Sequence, residues 1–264
     1  TILIIDNGYW GDCVKNGFTK KTDKDNLNKI LKNKYKLPEQ LVIYKQLNKL
    51  PHNFKYPVVV KTVDGTEGDD VYTDISDDIS LYKITGKLLK HHIKIIIEEQ
   101  IMNKREFRIT VNKTQNIFSV FERLPITIVG DGKSTINNIV KKINNTREKI
   151  NKIIIDDKLA NVNEILRKDE IKLVNNKRNY CQGSILKIIP TNTLHDDNIK
   201  YVYTLLDDLN MNAFGIDIFS DDLTESYKIN PIILLEVNSC PGIFFNIDDK
   251  SIRLSNSYLD KLYS

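Results

Sequence analysis

The sequence predicts an α+β fold, built from pairs of antiparallel strands and from amphipathic helices. Residues 105–111 and 116–122 alternate apolar and polar side chains, as neighbouring antiparallel strands do. Residues 214–219 and 232–238 form a second pair of strands, joined by a polar turn. Residues 196–210 carry apolar side chains at helical spacing. We therefore expect both helices and strands to contribute to the core.

The composition of the chain argues against several classes of protein. With 264 residues, of which 41% are hydrophobic, it is long enough for one large domain or two lobes. Its 39 basic and 35 acidic residues are interspersed, and no basic run indicates nucleic-acid binding. No apolar run approaches membrane-spanning length. The three cysteines and four histidines lack metal-ligand spacing, so we expect a cytoplasmic protein without nucleic-acid or membrane partners.

Polar side chains interrupt the second pair of strands at positions that suggest a metal site. Asp217 lies in the first strand, and Glu236 and Asn238 lie two residues apart in the second, so they project from one face. Burying such groups is costly unless they are paired or bind a cation. Carboxylate and amide oxygens are the ligands that Mg²⁺ prefers. An edge strand with a solvated tip is the alternative, and this stretch alone leaves both open.

A glycine-containing loop follows the β-branched strand at residues 56–61. The strand ends in Lys61, and the loop after it contains Gly65 and Gly68. Backbone N–H groups of such a loop can converge on an anion, and Lys61 would supply a positive charge for phosphate. The loop is not of the Walker type, because the lysine precedes the glycines and no Gly-Lys-Ser/Thr follows. A plain hairpin turn is the alternative interpretation.

Several further helices are predicted from apolar periodicity and capping residues. In residues 75–89, Ile79, Tyr82 and Leu89 fall near one face. In the first helix, Thr22 is a suitable N-cap. The predicted helices, besides 196–210, begin near residue 22 and cover residues 75–89, 136–143, 163–168 and 252–262.

Six stretches, taken in order, resemble the ATP-grasp superfamily. The resemblance covers about residues 20–246 and is closest to the ATP-grasp domains of cyanophycin synthetase and bifunctional glutathione synthetase. The pair Glu-Arg-Leu-Pro and Gly-Asp-Gly-Lys-Ser-Thr-Ile is more particular to this branch than the other motifs. The six stretches are residues 56–71, 96–108, 122–125, 129–136, 215–218 and 235–242.

The resemblance implies two α+β lobes whose antiparallel sheets grip ATP between them. Residues 1–20 would form an N-terminal strand and loop. Residues 21–98 would form the smaller lobe, which carries the glycine loop. Residues 99–264 would form the larger lobe, which carries the magnesium-binding strands.

The resemblance also implies a reaction, that of an ATP-dependent carboxylate–amine ligase. Such an enzyme forms an amide or peptide bond through an acyl-phosphate, here on an amino acid or peptide. It would use ATP and two Mg²⁺ ions, for which Mn²⁺ can substitute. A partner or carrier protein that presents the carboxylate, and a homodimer, are both left open. The alternatives are a small-molecule kinase on the same fold and a non-catalytic nucleotide-binding subunit.

The resemblance assigns the nucleotide and metal sites residue by residue. Two lysines and a glycine loop would bind the phosphates, and a hinge segment would bind adenine. A carboxylate would bind ribose, and the three residues already described would bind Mg²⁺. In that order they are Lys24 and Lys61; Gly65, Thr66, Glu67 and Gly68; Glu99, Gln100, Ile101 and Met102; Glu106; and Asp217, Glu236 and Asn238.

The resemblance also suggests which residues contact the transferred phosphoryl group and, more weakly, which residues contact the acceptor substrate. Arg108 and Arg123, together with Lys61, are the expected catalytic residues, placed for the transferred phosphoryl group or the acyl-phosphate. The polar loop at residues 175–184 departs from the family pattern, so the identity of the substrate does not carry over. Arg178 and Ser184 of this loop are the expected substrate contacts.

Overall fold

The structure is a computed structural model that describes residues 24–63, 70–113, 116–147, 152–178 and 183–238. The predicted N-terminal strand and loop, the Thr22 cap and the helix at 252–262 lie outside these residues. The described residues form two compact units, one containing residues up to 120 and from 190 onwards, the other residues 121–189. Within this part of the chain, no helix has both the length and the apolar character needed to cross a membrane.

The described residues contain four α-helices and eleven β-strands. The helices are α1 (Lys24–Leu31), α2 (Asp78–Leu88), α3 (Ile136–Asn145) and α4 (Asp196–Asp208). The strands are β1 (Gln40–Ile43), β2 (Val58–Thr62), β3 (Val71–Ile75), β4 (Ile95–Glu99), β5 (Arg105–Asn112), β6 (Ile117–Leu124), β7 (Ile126–Val129), β8 (Ile171–Asn175), β9 (Ile185–Ile189), β10 (Ala213–Ser220) and β11 (Ile233–Asn238).

The first unit contains a four-stranded antiparallel sheet with the order β1-β4-β2-β3. Its strands are rich in β-branched residues, which favour a pleated and buried surface. Leu81 and Leu88 of α2 belong to the same buried core as the apolar side chains of β2 and β4. Lys61 lies near the end of β2 and is paired with Val71 of β3. The chain between these paired strands is therefore the predicted glycine loop.

A second sheet has the order β11-β10-β5-β6-β9, and in it β10 pairs antiparallel with both β11 and β5. β6 continues from the first unit into the second, where β9 follows it in the sheet order. The loop between β10 and β11 is held by α4, because Asn198 Nδ2 donates to the carbonyls of Leu223 and Glu225. Asn198 Oδ1 also accepts from the Tyr227 N–H. One buried amide side chain thus fixes the connection between the two strands that carry the predicted metal ligands.

Helix α2 differs from the sequence prediction in both its start and its buried face. Ile75 is the last residue of β3, and the helix begins at Asp78 after the N-cap Asp77 accepts from the Ser80 N–H. Ile79 is 69% exposed, whereas Leu81 is completely buried. The predicted face was therefore wrong at Ile79 and Tyr82, whereas Leu89 packs against the core. The face that meets the sheet is set by tertiary packing, and several apolar positions on this helix compete for it.

The corrected face of α2 predicts unequal effects of two alanine substitutions. Leu81→Ala removes a fully buried side chain and is expected to lower the unfolding free energy by about 2–5 kcal/mol. Ile79→Ala, on the exposed face, is expected to change it by less than about 0.5 kcal/mol. Urea denaturation of both variants measures the difference. Equal losses would contradict the assigned face.

The second unit has its own core around the two-stranded antiparallel sheet β7-β8 and helix α3. Residues 163–168, predicted as a helix, form turns and an isolated bridge in which Ile165 pairs with Thr135. The Asn163 N–H donates to the Asn161 side chain, which favours a turn over a helix. A segment this short does not form a stable helix on its own, and here the pairing with Thr135 determines its conformation.

Candidate active site

The predicted metal ligands lie together because of the strand register in the second sheet. Asp217 of β10 is directly opposite Glu236 of β11 on one side and Arg108 of β5 on the other. Residues directly opposite each other in a sheet project from the same face. Arg108, Asp217 and Glu236 therefore form one row across three strands. The next row on that face places Asn238 opposite Gly215.

A β-bulge beside this row turns β11 relative to β10. Asp217 is opposite Glu236, but the next residue, Ile218, is opposite Leu234, so Leu235 has no partner across the pair. Because of this extra residue, Leu234 packs on the buried face with Ile218 while Glu236 faces the row of Arg108. Bulges commonly aim side chains at functional sites in this way.

Arg108 contacts the row of predicted ligands directly. Its Nε lies 3.2 Å from Oδ1 of Asp217, and both side chains are largely buried. With the Asn238 amide turned so that its oxygen faces Arg108, that oxygen accepts from Arg108 Nη1 at 2.5 Å. In the same orientation the Asn238 nitrogen donates to Glu236 Oε1 at 3.2 Å. The four side chains thus form one connected polar cluster, which we call the carboxylate cluster.

The donor set of the carboxylate cluster fits a hard divalent cation that is also bound by another ligand. It offers two carboxylates and one amide oxygen from a single face, and Asp217 is only 6% exposed. Among the described residues, no group of three or more His, Cys, Asp or Glu side chains is arranged to hold a metal. Mg²⁺ is commonly held by one or two protein carboxylates together with phosphate oxygens, and the donor set of the cluster fits that kind of site.

Lys61 lies in the first sheet and is paired with a buried carboxylate that the motifs of the sequence do not single out. Its Nζ is 2.5 Å from Oε2 of Glu98, and both side chains are about one-tenth exposed. Glu98 Oε1 accepts from Gln40 Nε2 at 3.1 Å, and Gln40 Nε2 also lies 3.4 Å from the Lys24 carbonyl. A chain of polar contacts therefore links the two predicted phosphate-binding lysines.

The predicted adenine hinge begins where β4 ends. Glu99 is exposed, and its N–H donates to the Glu39 carbonyl. The Gln100 side chain turns to β3, where its Oε1 accepts from the Asp74 N–H at 2.6 Å and its Nε2 donates to Asp74 Oδ1 at 2.8 Å. Ile101 is partly buried and Met102 is half-exposed. The hinge is thus tied to the strand that follows the glycine loop.

The remaining predicted nucleotide contacts are only partly within the described residues. Glu106 lies on β5 two residues before Arg108, so it projects from the same face as the carboxylate cluster. Lys24 is the first residue of α1. The four glycine-loop residues, Gly65, Thr66, Glu67 and Gly68, lie outside the described residues.

Three predicted catalytic or substrate residues belong to the second unit. Arg123 lies on β6 and Arg178 follows β8, and both are partly buried. Ser184 is 2% exposed, and its hydroxyl has no hydrogen-bond partner among the described residues. Their roles stay predictions.

The Gly-Asp-Gly-Lys-Ser-Thr motif has a structural explanation in the second unit. Asp131 accepts from the N–H groups of Lys133 and Ser134 and from the Ser134 hydroxyl. These hydrogen bonds stabilise the ionised carboxylate and lower the pKa of Asp131 to about 2. Thr135 then caps α3. The side chain of Asp131 thus holds the turn that leads into α3.

Sequence reasoning missed Glu98, Gln40 and Asp74. Glu98 had a signal, since it follows the buried residues Ile95 to Ile97 without a break, and a carboxylate in that position needs a partner. No sequence signal marked Gln40 or Asp74, because their contacts depend on which strands are neighbours.

Comparison with known sequences agrees with the resemblance. No family model matches the chain. Cyanophycin synthetase from Synechocystis sp. is 26% identical over 210 residues, covering 73% of this chain and 24% of the relative. The enzyme of the same name from Crocosphaera subtropica is 24% identical over the same length. The chain thus spans about a quarter of the length of the curated relatives it matches.

Comparison with solved structures agrees with the fold. A bifunctional glutathione synthetase from Pasteurella multocida matches 92% of this chain and 37% of its own, with a TM-score of 0.53 and 15% identity. A D-alanine–D-alanine ligase from Bacillus anthracis matches 89% of this chain and 62% of its own, with a TM-score of 0.52 and 14% identity. The predicted α+β fold and the resemblance are confirmed: the chain has the ATP-grasp fold, and the sequences and structures it resembles are ligases.

Proposed function

We propose that the protein is an ATP-dependent carboxylate–amine ligase that joins an amino acid or peptide carboxylate to an amine through an acyl-phosphate. The observation that carries this proposal is the carboxylate cluster, where two carboxylates and an amide oxygen lie on one face beside Arg108. The similarity to cyanophycin synthetase supports the reaction class. Phosphoryl transfer depends on positioning and charge neutralisation, so this reaction requires no protein nucleophile.

The proposed reaction has two chemical steps. A substrate carboxylate oxygen attacks the γ-phosphorus of ATP, which forms the acyl-phosphate and releases ADP. The amine nitrogen then attacks the acyl carbon, a C–N bond forms, and phosphate leaves as the amine loses a proton. The product is therefore lighter than its two substrates by one water.

The residues of the chain would bind and orient the reacting groups. Lys61, held by Glu98, would place its ammonium group on the phosphates at the end of β2. Mg²⁺ held by the carboxylate cluster would neutralise the charge that builds on the phosphate oxygens. The backbone of the hinge, fixed by the bonds between Gln100 and Asp74, would receive adenine. Glu106, on the same face as Arg108, would accept from ribose.

The proposed function is tested by trapping the acyl-phosphate intermediate. Hydroxylamine intercepts acyl-phosphates as hydroxamates, so the protein is incubated with Mg-ATP, hydroxylamine and a panel of amino acids and dipeptides. We expect an ATP-dependent hydroxamate from at least one carboxylate, together with ADP. Without hydroxylamine, mass spectrometry should find an amide that is one water lighter than its substrates. A phosphorylated small molecule without an amide would indicate the kinase instead.

A further inference from the structure

We propose that Arg108 is an internal counter-ion that competes with the divalent cation for the ligands of the carboxylate cluster, so that metal binds tightly only when a nucleotide draws Arg108 away. This inference rests on the proposed function, since it takes the cluster as the metal site. It adds an order to binding, in which the metal enters with the nucleotide rather than before it.

Arg108 contacts the same atoms that a cation would need. Its Nε lies 3.2 Å from Asp217 Oδ1, and its Nη1 donates to the Asn238 oxygen at 2.5 Å. In the same orientation the Asn238 nitrogen donates to Glu236 Oε1 at 3.2 Å. The guanidinium is therefore ion-paired with Asp217, without hydrogen-bond geometry between Nε and Oδ1, and it donates a hydrogen bond to Asn238. Glu236 is reached through Asn238.

The strand register makes the contact between Arg108 and Asp217 part of the fold. Arg108 is opposite Asp217 in the paired strands β5 and β10, and its side chain is only 13% exposed. Burying Asp217 beside Glu236 would be costly without a compensating positive charge. Arg108 therefore stabilises the protein at the same position where it hinders a metal ion.

The charges at the cluster also favour competition between Arg108 and a metal ion. A guanidinium and a divalent cation repel each other, and the repulsion is strong because the groups are largely withdrawn from solvent. A triphosphate supplies several negative charges, and guanidinium binds phosphate oxygens with two hydrogen bonds. A bound nucleotide thus offers Arg108 another partner and frees Asp217 and Asn238 for the metal. The movement of Arg108 from Asp217 to the phosphates would also bring its side chain to the phosphoryl group.

The test measures Mn²⁺ binding to the protein alone, by the loss of the electron paramagnetic resonance signal of free Mn²⁺. Arg108→Met removes the charge and keeps a long side chain. We expect it to bind Mn²⁺ at least tenfold more tightly than the unchanged protein. The control is Arg105→Met on the same strand, because Arg105 lies over the Phe107 ring and donates to the Asp221 carbonyl. The control should bind Mn²⁺ as the unchanged protein does.

Thermal unfolding gives a second readout that does not depend on activity. Arg108→Met should unfold at a lower temperature than the unchanged protein, and Mn²⁺ should raise its Tm by more. If this variant does not fold, Arg108→Lys replaces it, since a lysine keeps the charge but loses the paired contact, and a smaller gain in Mn²⁺ affinity is expected.

The outcomes separate this inference from the function on which it rests. If Arg108→Met binds Mn²⁺ no more tightly, while both proteins bind it with a non-hydrolysable ATP analogue, competition by Arg108 is wrong and the metal site stands. If none of the proteins binds Mn²⁺ even with the analogue, the metal site and the proposed function both fail.

Discussion

Replacing Glu236 by Gln is expected to lower turnover by roughly a hundredfold or more while the protein stays folded. The substitution keeps the size of the side chain, and the new amide oxygen can still accept from the Asn238 nitrogen, as Glu236 Oε1 does. What is lost is one of the two carboxylate charges in the cluster. The rate of ADP formation under saturating Mg-ATP measures the effect, and circular dichroism checks the fold.

Glu225→Gln is the matched control for this prediction. Glu225 lies in the loop between β10 and β11, is exposed, and accepts from Asn230 Nδ2 at 2.6 Å. Removing its charge leaves the carboxylate cluster unchanged, so turnover should stay within about twofold of the original rate. Near-normal activity of Glu236→Gln would contradict the role of the cluster, whatever the control does.

Replacing Lys61 by Met is expected to weaken ATP binding and to destabilise the protein by about 3–5 kcal/mol. Two effects are combined in this variant. The phosphates lose a positive charge, and Glu98 is left buried without the ammonium group that lies 2.5 Å from it. Isothermal titration with an ATP analogue measures the first effect, and urea denaturation measures the second.

A double substitution separates the two roles of Lys61. In Lys61→Met/Glu98→Gln the buried charge is removed along with its partner, and the new amide can still bond to Gln40. Much of the lost stability should return, because neutral groups of similar shape replace a broken ion pair. Affinity for the ATP analogue should not return. Recovery of nucleotide binding in the double variant would mean that Lys61 acts only through its pairing with Glu98.

The elements that the sequence predicted well are those whose pattern is local. The strands β5, β6, β10 and β11 were predicted from alternation or from apolar runs, and α4 was predicted from its apolar spacing. The face of α2 and the segment at 163–168 were mispredicted, because each is decided by a contact distant in sequence. For α2 the contact is the first sheet, and for 163–168 it is the bridge from Ile165 to Thr135.

Some features of the candidate site were likewise predictable from local sequence. The spacing of Glu236 and Asn238 places them on one face of a strand, since side chains alternate with a period of two. The residue types also indicate the chemistry, because two carboxylates and an amide are oxygen ligands. These inferences need no partner strand, so the order of amino acids is sufficient for them.

The other side chains that contact these ligands are set by the pairing of distant strands. Arg108 lies opposite Asp217, and Lys61 reaches Glu98, because particular strands are neighbours in particular registers. The bulge at Leu235 has the same origin, since it exists only relative to β10. Amino-acid order specifies which groups a strand presents on each face, but pairing between distant strands depends on the free energy of the whole fold.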